Sequence, residues 1–176
     1  MKRQEETLKS ERIYEGKVIN LRVDTVELPD KKYSKREIVE HSGAVGIIGI
    51  NDKGQVVLVK QYRKAVDEFL IEIPAGKMEP KEDPEACAKR EFKEETGYEA
   101  NDFNAVAQFY TSPGFSNEEI YLFEAKSLCK GTAEPDEDEY IEIIEISFET
   151  ALEKISNGEI KDSKTILAIL LAKETR

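Results

Sequence analysis

The sequence predicts an α+β fold: strands come together in a sheet, helices pack on it, and a β-rich extension precedes it. Three observations predict this. A length of 176 residues suits one domain with a small appendage. Apolar residues run in period-two or compact stretches, and three segments carry helix start and stop signals.

In chain order, the strand-like stretches are Val18 to Leu28, Arg36 to His41, Ala44 to Ile50, Gln55 to Gln61, Phe69 to Ile73, Ala105 to Tyr110, Ile120 to Ala125 and Tyr140 to Ile146. Asn51-Asp52-Lys53-Gly54 supplies the residues a tight hairpin loop requires. The first helix opens at Asp83-Pro84, a cap followed by proline at the first helical position, and stops at Gly97, which tolerates the left-handed conformation. A second opens at Ser147 and ends near Asn157-Gly158. A third opens at Asp162, with Ile166, Leu167, Ile169, Leu170 and Leu171 expected as its buried stripe.

Charge narrows the function. The chain has 26 Lys+Arg against 37 Asp+Glu, a net charge of −11, which repels phosphate backbones and anionic membrane surfaces. No nucleic-acid or membrane partner is therefore expected, and an anionic ligand would need metal ions as mediators. The opening run Met1 to Arg12 is charged and lacks an apolar segment, and the longest apolar stretches are too short to span a bilayer, so a cytoplasmic location is expected. Cys87 and Cys129 lie far apart and His41 is the only histidine, which excludes zinc-finger spacing and CxxC chemistry. His41 reads as a strand-end residue.

The chemistry lies between Gly76 and Tyr98. At 100° per residue, Glu91, Glu94 and Glu95 fall within an arc of roughly 100° on the side of Cys87 and Ala88, while Glu85, Lys89, Lys93 and Thr96 point away. Clustered carboxylates facing a protein interior repel each other and lose hydration. A hard divalent cation with oxygen ligands resolves the conflict. Acidic clusters on solvated helices are ordinary in a chain with 36% charged residues, so spacing must decide. Gly76, Glu82, Arg90-Glu91, Phe92, Glu94-Glu95, Gly97 and Tyr98 together resemble the Nudix box.

This resemblance implies a Nudix α/β/α sandwich with a mixed sheet over residues 41–176, preceded by the β-rich extension 1–40. It implies a hydrolase cutting a nucleoside diphosphate linked to another moiety. Arg36-Glu37-Ile38-Val39, Gly43-Ala44-Val45, Gln61-Tyr62-Arg63 and Glu72-Ile73-Pro74-Ala75-Gly76 are similar to segments of the bacterial ADP-ribose pyrophosphatases. Pro113 in Ser112-Pro113-Gly114, 16 residues after Gly97, stands where a proline marks that class. The implied metal is Mg²⁺, with Mn²⁺ as the alternative, held by Glu91, Glu95, Glu82 and the carbonyl of Ala75, with Glu94 beside them. Arg90 is expected to fix a carboxylate. Substrate contacts fall to Arg63, Arg36, Glu72, Pro113 and Gly114, and Tyr14, Tyr33 or Arg36 could stack on adenine. The resemblance places a base in the acidic stretch 134–139, with Glu139 first and Glu137 second. It also implies a homodimer built through the extension. Other nucleoside diphosphate derivatives, and a non-catalytic nucleotide-sugar-binding module, remain as alternatives.

Overall fold

The computed structural model describes residues 4–133 and 140–174, which contain ten strands and three helices. Glu137 and Glu139 lie outside the described residues. The described residues fall into two compact units.

The first unit runs up to Gly43 and takes in Phe109–Glu119. It holds a sheet of β1 (Glu6–Glu15), β2 (Asn20–Glu27) and β3 (Tyr33–Glu40), antiparallel throughout. β1 is exposed along its whole length. Sequence periodicity missed it, because Glu6–Glu15 has no alternating apolar face to read. Phe109–Glu119 is tied to the end of β3: Val39 N–H donates to Phe115 O (2.8 Å), and Asn117 N–H donates to Val39 O (3.2 Å). His41 directly follows β3, as expected of a strand-end residue, and its Nδ1 accepts from Gly43 N–H at 3.1 Å.

The second unit comprises Ala44–Gln108 and the chain from Ile120 onward. Its mixed sheet contains β4 (Ala44–Ile50), β5 (Gln55–Arg63), β6 (Glu68–Glu72), β7 (Ala75–Lys77), β8 (Tyr98–Tyr110), β9 (Glu119–Lys130) and β10 (Ile141–Ser147). The path runs β10-β5-β4-β9-β8, with β6 on β5 and β7 on β4. β4 is buried at every residue, the pattern of a strand covered on both faces. It lies parallel to β9 and antiparallel to β5 and β7. Val45 and Ile47 join Cys87, Ala88 and Phe92 of α1 (Pro84–Thr96) in one core cluster. Side chains alternate, so the even-numbered face of β4 is left to α3 (Ser163–Glu174), which also packs on this strand. α2 (Phe148–Ser156) packs on α3 and on the neighbouring strands.

Local signals set these elements. Asn51 Oδ1 accepts from Lys53 and Gln55 N–H at 3.0 and 2.9 Å, closing the β4–β5 hairpin. Asp83 caps α1 by accepting from Ala86 N–H at 3.0 Å. Two orientations differ from expectation. Thr96 is buried, because it lies four residues beyond Phe92 on the same helix face and satisfies its hydroxyl locally, donating to Phe92 O at 2.5 Å. In α3 the buried set is Thr165, Ala168, Ile169 and Ala172, with Leu170 exposed. The Thr165 hydroxyl, accepting from Ile73 N–H at 2.8 Å, fixes the helix rotation, and small alanines then face the sheet.

Candidate active site

β7 brings Ala75 and Gly76 alongside β4, with Gly76 opposite Val45. α1 then lays Glu91 directly over that glycine. A Cβ on Gly76 would stand 1.9 Å from Glu91 Cδ, so only glycine leaves room for the carboxylate. One turn further, the carboxylate of the buried Glu95 accepts from Ala75 N–H at 3.0 Å. Glu95 thus bonds the loop to the helix and Glu91 packs against the loop glycine; both are among the carboxylates that the sequence singles out.

Arg90 lies at the centre of the remaining carboxylates. Its Nε and Nη2 donate to the two oxygens of Glu82 at 3.1 and 3.2 Å. Nη1 donates to Glu91 at 2.8 Å and to Glu94 at 3.0 Å. The Arg90 fork onto Glu82, with the backbone N–H of Glu79, pulls the Glu82 carboxyl down to about 2. Glu82 also accepts from Glu79 N–H at 2.8 Å, tying the loop before α1 to the helix. Glu91 and Glu82 are largely buried, whereas the Glu94 side chain is 41% exposed at the rim. Cys87 is buried beneath this cluster, and loss of hydration pushes its thiol up to about 12. Among the described residues, no three acidic, His or Cys side chains are gathered at one point; the Arg90 guanidinium draws Glu82, Glu91 and Glu94 onto itself, while Glu95 lies on Ala75 N–H.

A second cluster sits where β5, β6 and α3 meet. Arg63 forks onto Glu72 at 2.7 and 3.0 Å, and Lys164 donates to the same carboxylate. Glu72 is 1% exposed, and its two cationic partners hold its carboxyl below the ordinary range although burial pushes the other way. Sequence reasoning missed Lys164. Its signal is a cation in the first turn of a helix, where the dipole disfavours positive charge unless an anion answers it.

In the first unit, Arg36 forks onto Glu5 at 2.9 and 2.6 Å. Pro113 and Gly114 occupy a turn closed by Phe115 and Ser116 N–H donating to Ser112 O at 3.1 and 2.9 Å. A cavity of about 310 Å³ opens beside it, walled by Val18, Ile19, Val39, Phe115, His41 and Glu118.

Known proteins share both the sequence and the fold. A family model of the NUDIX domain matches residues 40–167, and one of the nucleoside diphosphate sugar hydrolase N-terminal domain matches residues 5–39. The chain is 46% identical over 168 residues to an ADP-ribose pyrophosphatase of Bacillus subtilis (strain 168), covering 94% of this chain and 91% of that protein. It is 48% identical, with the same coverage, to a methanol dehydrogenase activator of Bacillus methanolicus. A crystal structure of an ADP compounds hydrolase superposes with a TM-score of 0.86 at 20% identity, covering 97% of this chain and 93% of that one, which shows a shared fold. With Gly76, Glu82, Arg90, Glu91, Glu94 and Glu95 in place on this loop and helix, the chain belongs to the Nudix family of pyrophosphate-bond hydrolases.

Proposed function

We propose that the protein hydrolyses the pyrophosphate bond of ADP-ribose, giving AMP and ribose 5-phosphate. The observation that carries the chemistry is the fit of the Glu91 carboxylate onto Gly76, with Glu95 held by Ala75 N–H one turn away. The substrate rests on the relatives named ADP-ribose pyrophosphatase, one of them 34% identical over 173 residues, from Mycobacterium tuberculosis (strain ATCC 25618 / H37Rv).

Nudix hydrolases generally need a divalent metal. The donor chemistry here fits one: carboxylates and a backbone carbonyl, all hard oxygens, suit Mg²⁺, with Mn²⁺ as the alternative. Glu91, Glu95, Glu82 and the carbonyl of Ala75 would hold it, with Glu94 at the rim. When bound, it supplies charge neutralisation on the pyrophosphate and a lowered pKa for the attacking water. The chain's own residues orient the reaction. Arg90 keeps the box carboxylates gathered on one side, and the planar fork of Arg63 suits a phosphate better than a point charge would. Arg36, Pro113 and Gly114 are assigned to substrate binding on the family resemblance, and Glu72 acts through Arg63. Glu139, or failing that Glu137, serves as the general base.

The reading extends to the assembly. Residues 1–40 form an extension that joins two copies into a homodimer, and residues 41–176 form the hydrolase domain. What supports this is β1, exposed along its length, together with Leu8, Ile13, Tyr14 and Tyr33, all more than half exposed. No helix among the described residues is long and apolar enough to cross a membrane, and we place the protein in the cytoplasm.

Incubation with Mg²⁺ and a panel of ADP-ribose, NADH, GDP-mannose and oxidised dGTP tests the proposal. AMP and ribose 5-phosphate from ADP-ribose, at the highest kcat/KM of the panel, is the expected result. Preference for another member overturns the substrate.

A further inference from the structure

Glu72 is a carboxylate with two cations, and the two are not equivalent. Its side chain is 2% exposed; that of Arg63 is 38% exposed and that of Lys164 is 15%. Arg63 is therefore the partner that can reach a ligand. If it were the sole partner, its turning to a phosphate would leave a buried anion uncompensated, a costly arrangement. Lys164 removes that cost. Its ammonium stays on Glu72 Oε2 and is itself held by Asp162 Oδ1 at 3.0 Å. Asp162 Oδ2 in turn accepts from Thr165 N–H at 2.9 Å and from the Thr165 hydroxyl at 2.5 Å, and that hydroxyl accepts from Ile73 N–H at 2.8 Å. The start of α3 is thereby bonded to the residue next to Glu72.

We propose that Lys164 is a positioning residue: it keeps Glu72 compensated so that the Arg63 guanidinium is free to engage the pyrophosphate of the substrate. The inference rests on the reading that Arg63 binds that group. Lys164 contacts no substrate itself, and its effect on Arg63 passes through Glu72.

A double-mutant cycle tests it, with ADP-ribose and Mg²⁺ and with thermal unfolding as the check on folding. Lys164→Met tightens the hold of Glu72 on Arg63, so KM should rise about 10-fold while kcat changes less than about 3-fold. In a Glu72→Gln background there is no anion to compensate, and the same substitution should change KM less than about 2-fold. Lys164→Arg, which retains the cation, should restore KM. Should Lys164→Met not fold, Lys164→Gln carries the same comparison. An undiminished KM effect in the Glu72→Gln background means that Lys164 acts directly and overturns the proposal. Arg63→Gln separates the two levels: an unchanged KM there overturns the reading of Arg63 itself, whereas a raised KM with Lys164→Met unchanged overturns only the role of Lys164.

Discussion

Gly76 shows how much a single residue can carry. Its missing side chain is the space in which the Glu91 carboxylate sits, so the site needs glycine for close approach. Gly76→Ala should displace that carboxylate and lower kcat about 10²-fold or more, with far-ultraviolet circular dichroism unchanged. Wild-type turnover in this variant would show that Glu91 is not needed where it stands. Glu82 offers a different test. A carboxyl whose folded value lies below its ordinary one stabilises the fold above the ordinary value and loses that contribution as pH falls toward the folded value. The Tm advantage of wild type over Glu82→Gln should therefore be complete at pH 7 and shrink between 4.5 and about 2. A constant difference down to pH 2 would contradict the Arg90 pairing. Spacing made these residues legible in the sequence, but it did not reveal that Arg90 gathers three carboxylates, nor that Lys164 shares Glu72. Both facts depend on elements that meet only in the fold.

At the scale of elements, α1 is legible because its ends are local chemistry: Asp83 caps the first turn, and Gly97 closes the last at φ 71°. Gly97 also faces backbone, since a Cβ there would meet Ala133 N at 2.6 Å. Gly97→Ala should cost about 1–3 kcal/mol and lower Tm by roughly 2–12 °C, read by thermal unfolding. An unchanged Tm would mean that the turn adapts freely. The short strand β7 was not legible, as three residues carry no periodicity and Ala75–Lys77 is a strand only through its pairing with β4. The rotation of α3 was misread for a related reason. Six consecutive apolar residues from Ile166 to Leu171 do not define a single face, and the Thr165 hydroxyl chose it.

For the whole molecule, the sequence did not reveal that Phe109–Glu119 groups with the residues up to Gly43, since that grouping is a long-range contact. The exposed first strand, β1, supports the proposed homodimer with exchanged N-terminal strands. Light scattering at micromolar concentration should give twice the chain mass of 20.0 kDa, and a fully active monomer would rule the dimer out.

In the proposed reaction, hydrolysis is organised around the carboxylates of Glu91 and Glu95. The most direct measurement is the turnover of ADP-ribose by Glu91→Gln and Glu95→Gln at saturating Mg²⁺, with thermal unfolding recorded alongside. Each substitution keeps the shape of the side chain and removes its charge, so kcat should fall by orders of magnitude while the protein stays folded. Near-normal turnover in either variant would show that hydrolysis does not depend on that carboxylate.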